Sequence, residues 1–426
     1  MTRIPQFERL SRRVVAPLAV GALVLGGGAV ALASSGGEPA PPDRSLPGAV
    51  ADTLDAPAPA GVTADVRFTS RLIDESVRGR AGGPLLDGAS GTVRVGRDWR
   101  FAADLRSGDD RVQAAFDGRR LTVYDHRGRT AYTATAPAGT DQLLSMLGAF
   151  RASPQMIEMA LSAARRFVDV SGPTPGRVGG RPAYTVRVAP KHDGGLLGAI
   201  ELAWDPKTGV PLRLAVTAHG ERQPVLELAA SDVRVAPVAD EQLRLDVPDG
   251  ARSVRIDELA RHRGAGAGSA EARKRAERAL GDVLGEDGPD LSKLLTGGDG
   301  RRGASGVAAV RKAVPFPLAA PNQLAGLPRK AVRELRIGDR SGAALVYGEG
   351  LGALVVLETG AGDHPFDLAR TGLRLPELAI DGAAGRELAT PLGTVVSVRR
   401  GGVSYLIAGS LPTAAAEAAA RQLVAR

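Results

Sequence analysis

No cysteine occurs anywhere in the 426 residues. That excludes disulfides, thiol catalysis, cysteine-ligated zinc and iron–sulfur clusters, and also a lipid-modified cysteine after an export segment. Packing alone must hold the fold together. Aromatics make up only 4% of the chain against 55 glycines, so the core has to be built mainly from Ala, Val and Leu. The histidines are five and scattered: His126, His192, His219, His262 and His364. None stands in the HExxH or HxH spacing that brings two imidazoles to one metal. There is no Walker lysine loop and no GxSxG elbow, since Gly88-Ala89-Ser90-Gly91 has the wrong spacing. Gly348-Glu349-Gly350-Leu351-Gly352 begins like a dinucleotide fingerprint. A strand follows where a helix N-terminus must hold the pyrophosphate, so a hairpin turn is the better reading. Asp109-Asp110 reads as a solvated turn rather than an acid/base pair. Nothing here points to a catalytic residue, a metal or a cofactor, and the chain is read as non-enzymatic. Basic residues are in modest excess, 55 against 47, a net charge of +8. No dense basic block with interleaved aromatics accompanies it, which argues against nucleic acid as a partner.

Charge is also missing from Val14 to Ala33, a run of twenty residues preceded by Arg3, Arg9, Arg12 and Arg13. At about 1.5 Å per residue a helix of that length spans a bilayer core of roughly 30 Å. The basic flank keeps the N-terminus in the cytoplasm. Ala31-Leu32-Ala33 fits a signal-peptide cleavage site, while the length fits an uncleaved anchor. Ser11-Arg12-Arg13-Val14-Val15 partly matches a twin-arginine signal. Every version places the bulk of the chain outside the cytoplasmic membrane, either single-pass or secreted. Residues 1–35 are therefore a signal peptide or transmembrane anchor. Residues 36–60, rich in Pro and Ala, are a linker with room for a short helix around Ala49 to Leu54.

From Val62 the pattern becomes β. Val93, Val95, Trp99, Phe101, Ala103 and Leu105 share one parity, and Val112, Ala114 and Phe116 follow. The hairpin Gly198–Val216 is the clearest element. Ile200, Leu202 and Trp204 alternate with Glu201 and Ala203, and Leu212, Leu214 and Val216 alternate with Arg213, Ala215 and Thr217. Period-two alternation marks strands with one buried face. Between the runs, Trp204-Asp205-Pro206-Lys207-Thr208-Gly209 carries turn chemistry. Midway the period switches to helical: Leu143, Leu144, Leu147 and Phe150, then Gln155 to Arg166. These helices are placed to cover the apolar side of a curved sheet. A close-packed core and a ligand cavity compete for that side, and pattern alone favours the packed core. For a cavity, the lining residues are Trp99, Phe101, Phe116, Leu143, Leu147, Phe150, Ile200, Leu202 and Leu214. Residues 255–310 read as a flexible and charged helical linker. Residues 311–426 read as a small α+β domain with hairpins at 343–357 and 394–407 and a closing Ala-rich helix.

The order of these features over residues 61–254 resembles the LolA-like superfamily, which includes periplasmic lipoprotein carriers and RseB-type regulators of anti-sigma factors. The resemblance rests on the strand meander, the helix pair at 141–166 and Val178-Gly179-Gly180-Arg181-Pro182-Ala183-Tyr184. It rests also on the Trp-Asp-Pro-x-Thr-Gly turn and the ending Leu245-Asp246-Val247-Pro248-Asp249-Gly250-Ala251. It implies an α+β fold with a half-open antiparallel β-barrel and a helical lid, followed here by a smaller domain. It implies a hydrophobic ligand, a lipid or a lipoprotein acyl chain, held by a carrier or sensor. The alternative it implies is an RseB-like interaction module with a membrane protein partner, acting on an anti-sigma factor or envelope stress signalling.

Overall fold

The computed structural model describes residues 39–78, 84–97, 99–136, 154–191, 195–255, 304–337, 340–360, 368 and 372–425. The apolar stretch at 14–33, the first lid helix at 141–150 and the charged segment at 269–284 lie outside these residues. Among the described residues, no helix is long and apolar enough to cross a membrane.

Two sheets make up the chain. The first is a curled half-barrel of twelve strands. Its strands are β1 (Gly61–Ser70), β2 (Ala89–Gly96), β3 (Phe101–Ser107), β4 (Asp110–Phe116), β5 (Arg120–Asp125) and β6 (Thr130–Thr135). After the lid region come β7 (Val168–Val178), β8 (Arg181–Pro190), β9 (Leu197–Trp204), β10 (Pro211–Ala218), β11 (Pro224–Val235) and β12 (Arg252–Arg255). Their spatial order is β12-β6-β5-β4-β3-β2-β1-β11-β10-β9-β8-β7. The two meanders are thus sewn together where β11 returns to pair with β1, from Val62 opposite Val235 to Ser70 opposite Leu226. The short β12 lies parallel to β6, so the chain leaves this domain along the edge far from the hairpin.

The period-two pattern explains why one face is core. Across β2 to β6, Val93, Phe101, Leu105, Val112, Ala114, Phe116, Val123 and Tyr132 form one buried cluster, with the Phe101 and Phe116 rings 6.0 Å apart. The hairpin between β9 and β10 closes with the expected chemistry. The Asp205 carbonyl accepts from the Gly209 N–H at 2.8 Å, and its side chain accepts from the Lys207 N–H at 2.9 Å. Gly209 takes φ of 65°, which only glycine adopts without strain. The Asp205 carboxylate is 1% exposed and receives Arg181 Nε at 2.8 Å and Nη2 at 2.6 Å. A buried carboxylate survives only with such partners.

Helix α1 (Leu46–Asp55) falls inside the Pro/Ala-rich stretch, where the sequence leaves room for a short helix around Ala49 to Leu54. Ser45 caps it, and Ala49 is fully buried. Leu46 and Ala49 pack with Tyr184, Val186 and Trp204. The Tyr184 hydroxyl donates to the Pro42 carbonyl at 2.5 Å, and Trp204 Nε1 donates to Thr53 Oγ1 at 3.0 Å. Helix α2 (Pro154–Ala164), the second lid helix, packs on α1 and sends Leu161 into the same cluster.

The second sheet has eight strands: β13 (Gln323–Leu324), β14 (Leu327–Ile337), β15 (Arg340–Tyr347), β16 (Leu354–Gly360), β17 (Glu377–Ile380), β18 (Ala383–Thr390), β19 (Gly393–Arg400) and β20 (Val403–Gly409). The order is β13-β14-β15-β16-β20-β19-β18-β17. Helix α3 (Val307–Ala313) and helix α4 (Thr413–Val424) cover its apolar face. In α4, Ala416, Ala419, Ala420 and Leu423 recur at helical spacing and are all buried. Small side chains let this helix approach the sheet closely, as a core poor in aromatics requires.

Candidate functional site

The half of the first sheet formed by β1 and β8 to β11 is packed differently from the half formed by β2 to β6. Strand register lines up two rows on the inner face. One row is Phe68, Leu228, Leu214, Leu202 and Val186; the other is Ser70, Leu226, Val216, Ile200 and Val188. At about 4.8 Å between strands, each row runs roughly 19 Å across five strands. Nine of these ten side chains are apolar, yet only Val186 is buried. Leu202, on β9, is 38% exposed. The clustered side chains of β2 to β6 are 2–8% exposed. A sheet face this apolar and this open is a trough that burial by another apolar surface would stabilise, at about 25 cal/mol per Å2 covered.

The opposite face of the same strands is polar. Arg213 donates from Nη1 to Glu201 at 2.9 Å and from Nε to Glu227 at 2.5 Å, bridging three strands. On the β3–β5 side, Gln113 Oε1 lies 2.8 Å from His126 Nε2, and the Arg111 guanidinium holds the Asp104 carboxyl below its usual range. His126 is pushed down by burial and by Arg111, so it is neutral near physiological pH. This face is a solvated ion network that gives the sheet a defined outside.

The end of the trough at β8 and β9 is closed by α1 and α2 through Tyr184 and Trp204, whose rings are 5.9 Å apart. At the start of β9 the second domain touches it. The Leu196 N–H donates to the Ser410 carbonyl at 3.0 Å, and the Leu197 N–H donates to Ser410 Oγ at 2.7 Å. A further bond joins the Arg374 N–H to the Val77 carbonyl at 2.8 Å.

The sequence-predicted residues divide among these places. Ile200, Leu202 and Leu214 stand in the trough rows. Phe101 and Phe116 sit in the close-packed cluster beside it, 5% and 8% exposed. Trp99 is half-buried in the β2–β3 turn with φ of 65°, and that cluster does not include it. Leu143, Leu147 and Phe150 lie outside the described residues. Phe68, Val216, Leu226 and Leu228 belong to the trough and were missed. Their period-two spacing was visible; the β10–β11 pairing sets Leu228 and Leu226 beside Leu214 and Val216, and only Phe68 needs the long-range pairing of β11 with β1 to join them. Among the described residues, no group of His, Asp or Glu side chains is placed to hold a metal ion.

No protein-family model and no curated protein matches the chain. Solved structures do. The Pseudomonas aeruginosa MucA/MucB complex is 16% identical, with TM-score 0.38, over 87% of this chain and 94% of that one. MucB by itself is 15% identical, with TM-score 0.31, over 85% and 90%. An uncharacterised conserved protein of Thermus thermophilus is 12% identical, with TM-score 0.28, over 46% and 90%. At these identities and TM-scores the likeness carries no argument about what the chain does.

Proposed function

We propose that this chain is a non-enzymatic, extracytoplasmic interaction module of the RseB type, which binds the extracytoplasmic segment of a membrane anti-sigma factor. The observation that carries the reading is the half-exposed trough on β1 and β8 to β11, one strand of which, β9, is hydrogen-bonded to the second domain at its start. A partner segment with apolar side chains at every second position would cover Leu202 and Leu214 and be sensed by both domains. The MucB structures, solved with and without MucA, agree with this reading in kind but lend it no weight at their TM-scores. Cross-linking of the full chain in its native membrane, followed by purification, should recover one dominant membrane protein. Leu202→Glu should abolish that recovery while the protein stays folded. Recovery of no partner in repeated experiments, or of the same partner with Leu202→Glu, would refute the reading.

A second reading has its own support. The two trough rows carry no charged side chain, which suits an acyl chain of a lipid or lipoprotein. Native mass spectrometry of gently extracted protein separates the two. A bound lipid lost in Leu202→Glu favours the carrier, and a ligand-free spectrum with an intact protein partner favours the module.

A further inference from the structure

Trp99 takes no part in the trough, and its setting is unusual. A bulky side chain at φ of 65° is an outlier among L-residues. The turn around it is tight, with the Gly96 N–H donating to the Arg100 carbonyl at 2.8 Å. Trp99 is half-buried there, outside the packed cluster of β2 to β6. The turn between β4 and β5 lies beside it, because β3 and β4 pair from Phe101 opposite Phe116. That turn adds Arg119 and Arg120. Arg97, Arg119 and Arg120 are exposed, and their guanidinium groups form no ion pair among the described residues. Two nearby acids are engaged. Asp117 accepts from the N–H groups of Arg119 at 2.8 Å and Arg120 at 2.6 Å, and Asp240 holds Arg100 at 2.7 Å. The short turn Asp240–Leu243, packed on β2 and β3, also brings the exposed Glu241 and Arg244. With Asp98, which lies outside the described residues, arginines outnumber acids by five to four. The long-range field is therefore weak. What sets this surface apart is an indole flanked by free guanidinium groups, a combination suited to the phosphate layer of a bilayer.

Strand pairing fixes which end of the half-barrel carries this surface. Gly61 at the start of β1 pairs with Gly96, and Val62 pairs with Val235 at the end of β11. Antiparallel pairing carries the same end on through Pro211 to Trp204 and from Trp204 to Tyr184. The Tyr184 hydroxyl is the group that holds the Pro42 carbonyl. The turn at Trp99 and the entry of the chain at Pro42 therefore share one end. Leu196, Leu197 and Val77, which bond to the second domain, lie at the other. Pro39, the first described residue, follows Ala33 by six residues, about 20 Å of fully extended chain. An apolar run Val14–Ala33 embedded in a membrane thus keeps the Trp99 end, and not the second domain, close to the bilayer surface.

We propose that this end of the half-barrel docks on the headgroup layer of a phospholipid bilayer, with Trp99 seated in the interface and Arg97, Arg119 and Arg120 on lipid phosphates. The proposal goes beyond the interaction reading above and shares with it only the extracytoplasmic placement. The strands then stand away from the membrane, with the second domain outermost.

The experiment reconstitutes the full chain with vesicles of phosphatidylcholine containing about a third phosphatidylglycerol, with and without a nitroxide on the headgroup. Flotation reads anchoring, and tryptophan emission reads contact. The nitroxide should quench the parent about twofold or more beyond its effect on Trp99→Phe, whose remaining Trp204 is buried. The triple variant Arg97→Gln/Arg119→Gln/Arg120→Gln should float like the parent, match its circular dichroism and lose most of that extra quenching. Unchanged quenching in the triple variant would overturn the part given to the arginines. Floating parent protein quenched no more than Trp99→Phe would overturn the docking while the anchor stands. Quenching without flotation would overturn the anchor and uphold the docking, and neither signal would overturn both. Recovery of a cross-linked membrane partner from protein that shows no extra quenching would separate this failure from failure of the interaction reading.

Discussion

Glu358 offers the sharpest test of the second domain. It lies on β16, opposite Ala343 on β15 and Tyr405 on β20, in the middle of the covered face of the sheet. Its side chain is completely buried. Oε2 accepts from the Ala319 N–H at 3.0 Å, and Oε1 has no hydrogen-bond partner among the described residues. Burial pushes its pKa from 4.5 up to about 8, the Ala319 bond lowering it only in part. The neighbouring Tyr405 is itself pushed up to about 12 by burial and by Glu358, so it stays neutral across the range of interest. Below pH 4.5 folded and unfolded states both hold the Glu358 proton. Above it the unfolded state ionises and the folded state does not, so this group's contribution to stability falls as pH rises. The loss is complete once pH passes about 8, where the folded state ionises too. Three and a half pH units at about 1.4 kcal/mol each make a loss of ~5 kcal/mol, a large part of what an ordinary domain possesses. Glu358→Gln keeps an acceptor for Ala319 and removes the titration. Scanning calorimetry is the suitable assay, because both tryptophans, Trp99 and Trp204, lie in the first domain and fluorescence would report the wrong half. Between about pH 5 and about pH 9 the parent should lose stability relative to Glu358→Gln by several kcal/mol, with most of the divergence below pH 8. Parallel pH profiles for the two proteins would refute the reasoning.

Three further outcomes follow from the first domain. Asp205→Ala strips Arg181 of its carboxylate and the β9–β10 turn of its side-chain acceptor; chemical denaturation should show a loss of about 2–3 kcal/mol, since the pair is buried on one side and partly solvated on the other. Gly209→Ala forces a methyl group into the left-handed region and should cost about 1 kcal/mol, with binding of an apolar dye to the trough unchanged in the folded protein. Thr53→Val removes the acceptor of Trp204 Nε1; it should lower stability by about 1 kcal/mol and shift the tryptophan emission, which fluorescence spectra check directly.

The elements with strictly local causes were legible in the sequence. The turn at 204–209, the hairpin strands on either side, the second lid helix and the Ala-rich helix at the C-terminus each follow from spacing within about fifteen residues. So did the inward parity of Ile200, Leu202 and Leu214. What escaped was everything decided by distant partners. A short helix around Ala49 to Leu54 had local grounds, but its docking did not: Tyr184 and Trp204 supply the surface, and Trp204 bonds to Thr53. The contrast between Phe101, sealed in a cluster, and Leu214, half open in a trough, is equally invisible in a pattern that treats both as inward-facing. Trp99 shared the parity of the β2 strand, but the turn at Gly96 moves it out of phase with Phe101. Glu358 reads locally as an ordinary strand carboxylate, and only the packing of 314–320 over β16 makes it a buried acid.

Ser410 gives the two sheets a mechanical relation. Its side chain and carbonyl grip β9 at Leu196 and Leu197, and Leu202 lies five residues further along the same strand. A strand is stiff along its length, and five residues of it measure about 17 Å. Whatever presses on Leu202 therefore works the long arm of a lever whose fulcrum is the second domain. Sliding β9 by about one ångström would stretch the 2.7 Å bond at Leu197 past hydrogen-bonding range and release the grip. Occupancy of the trough and the seating of the second domain are in that sense two readings of one strand's position.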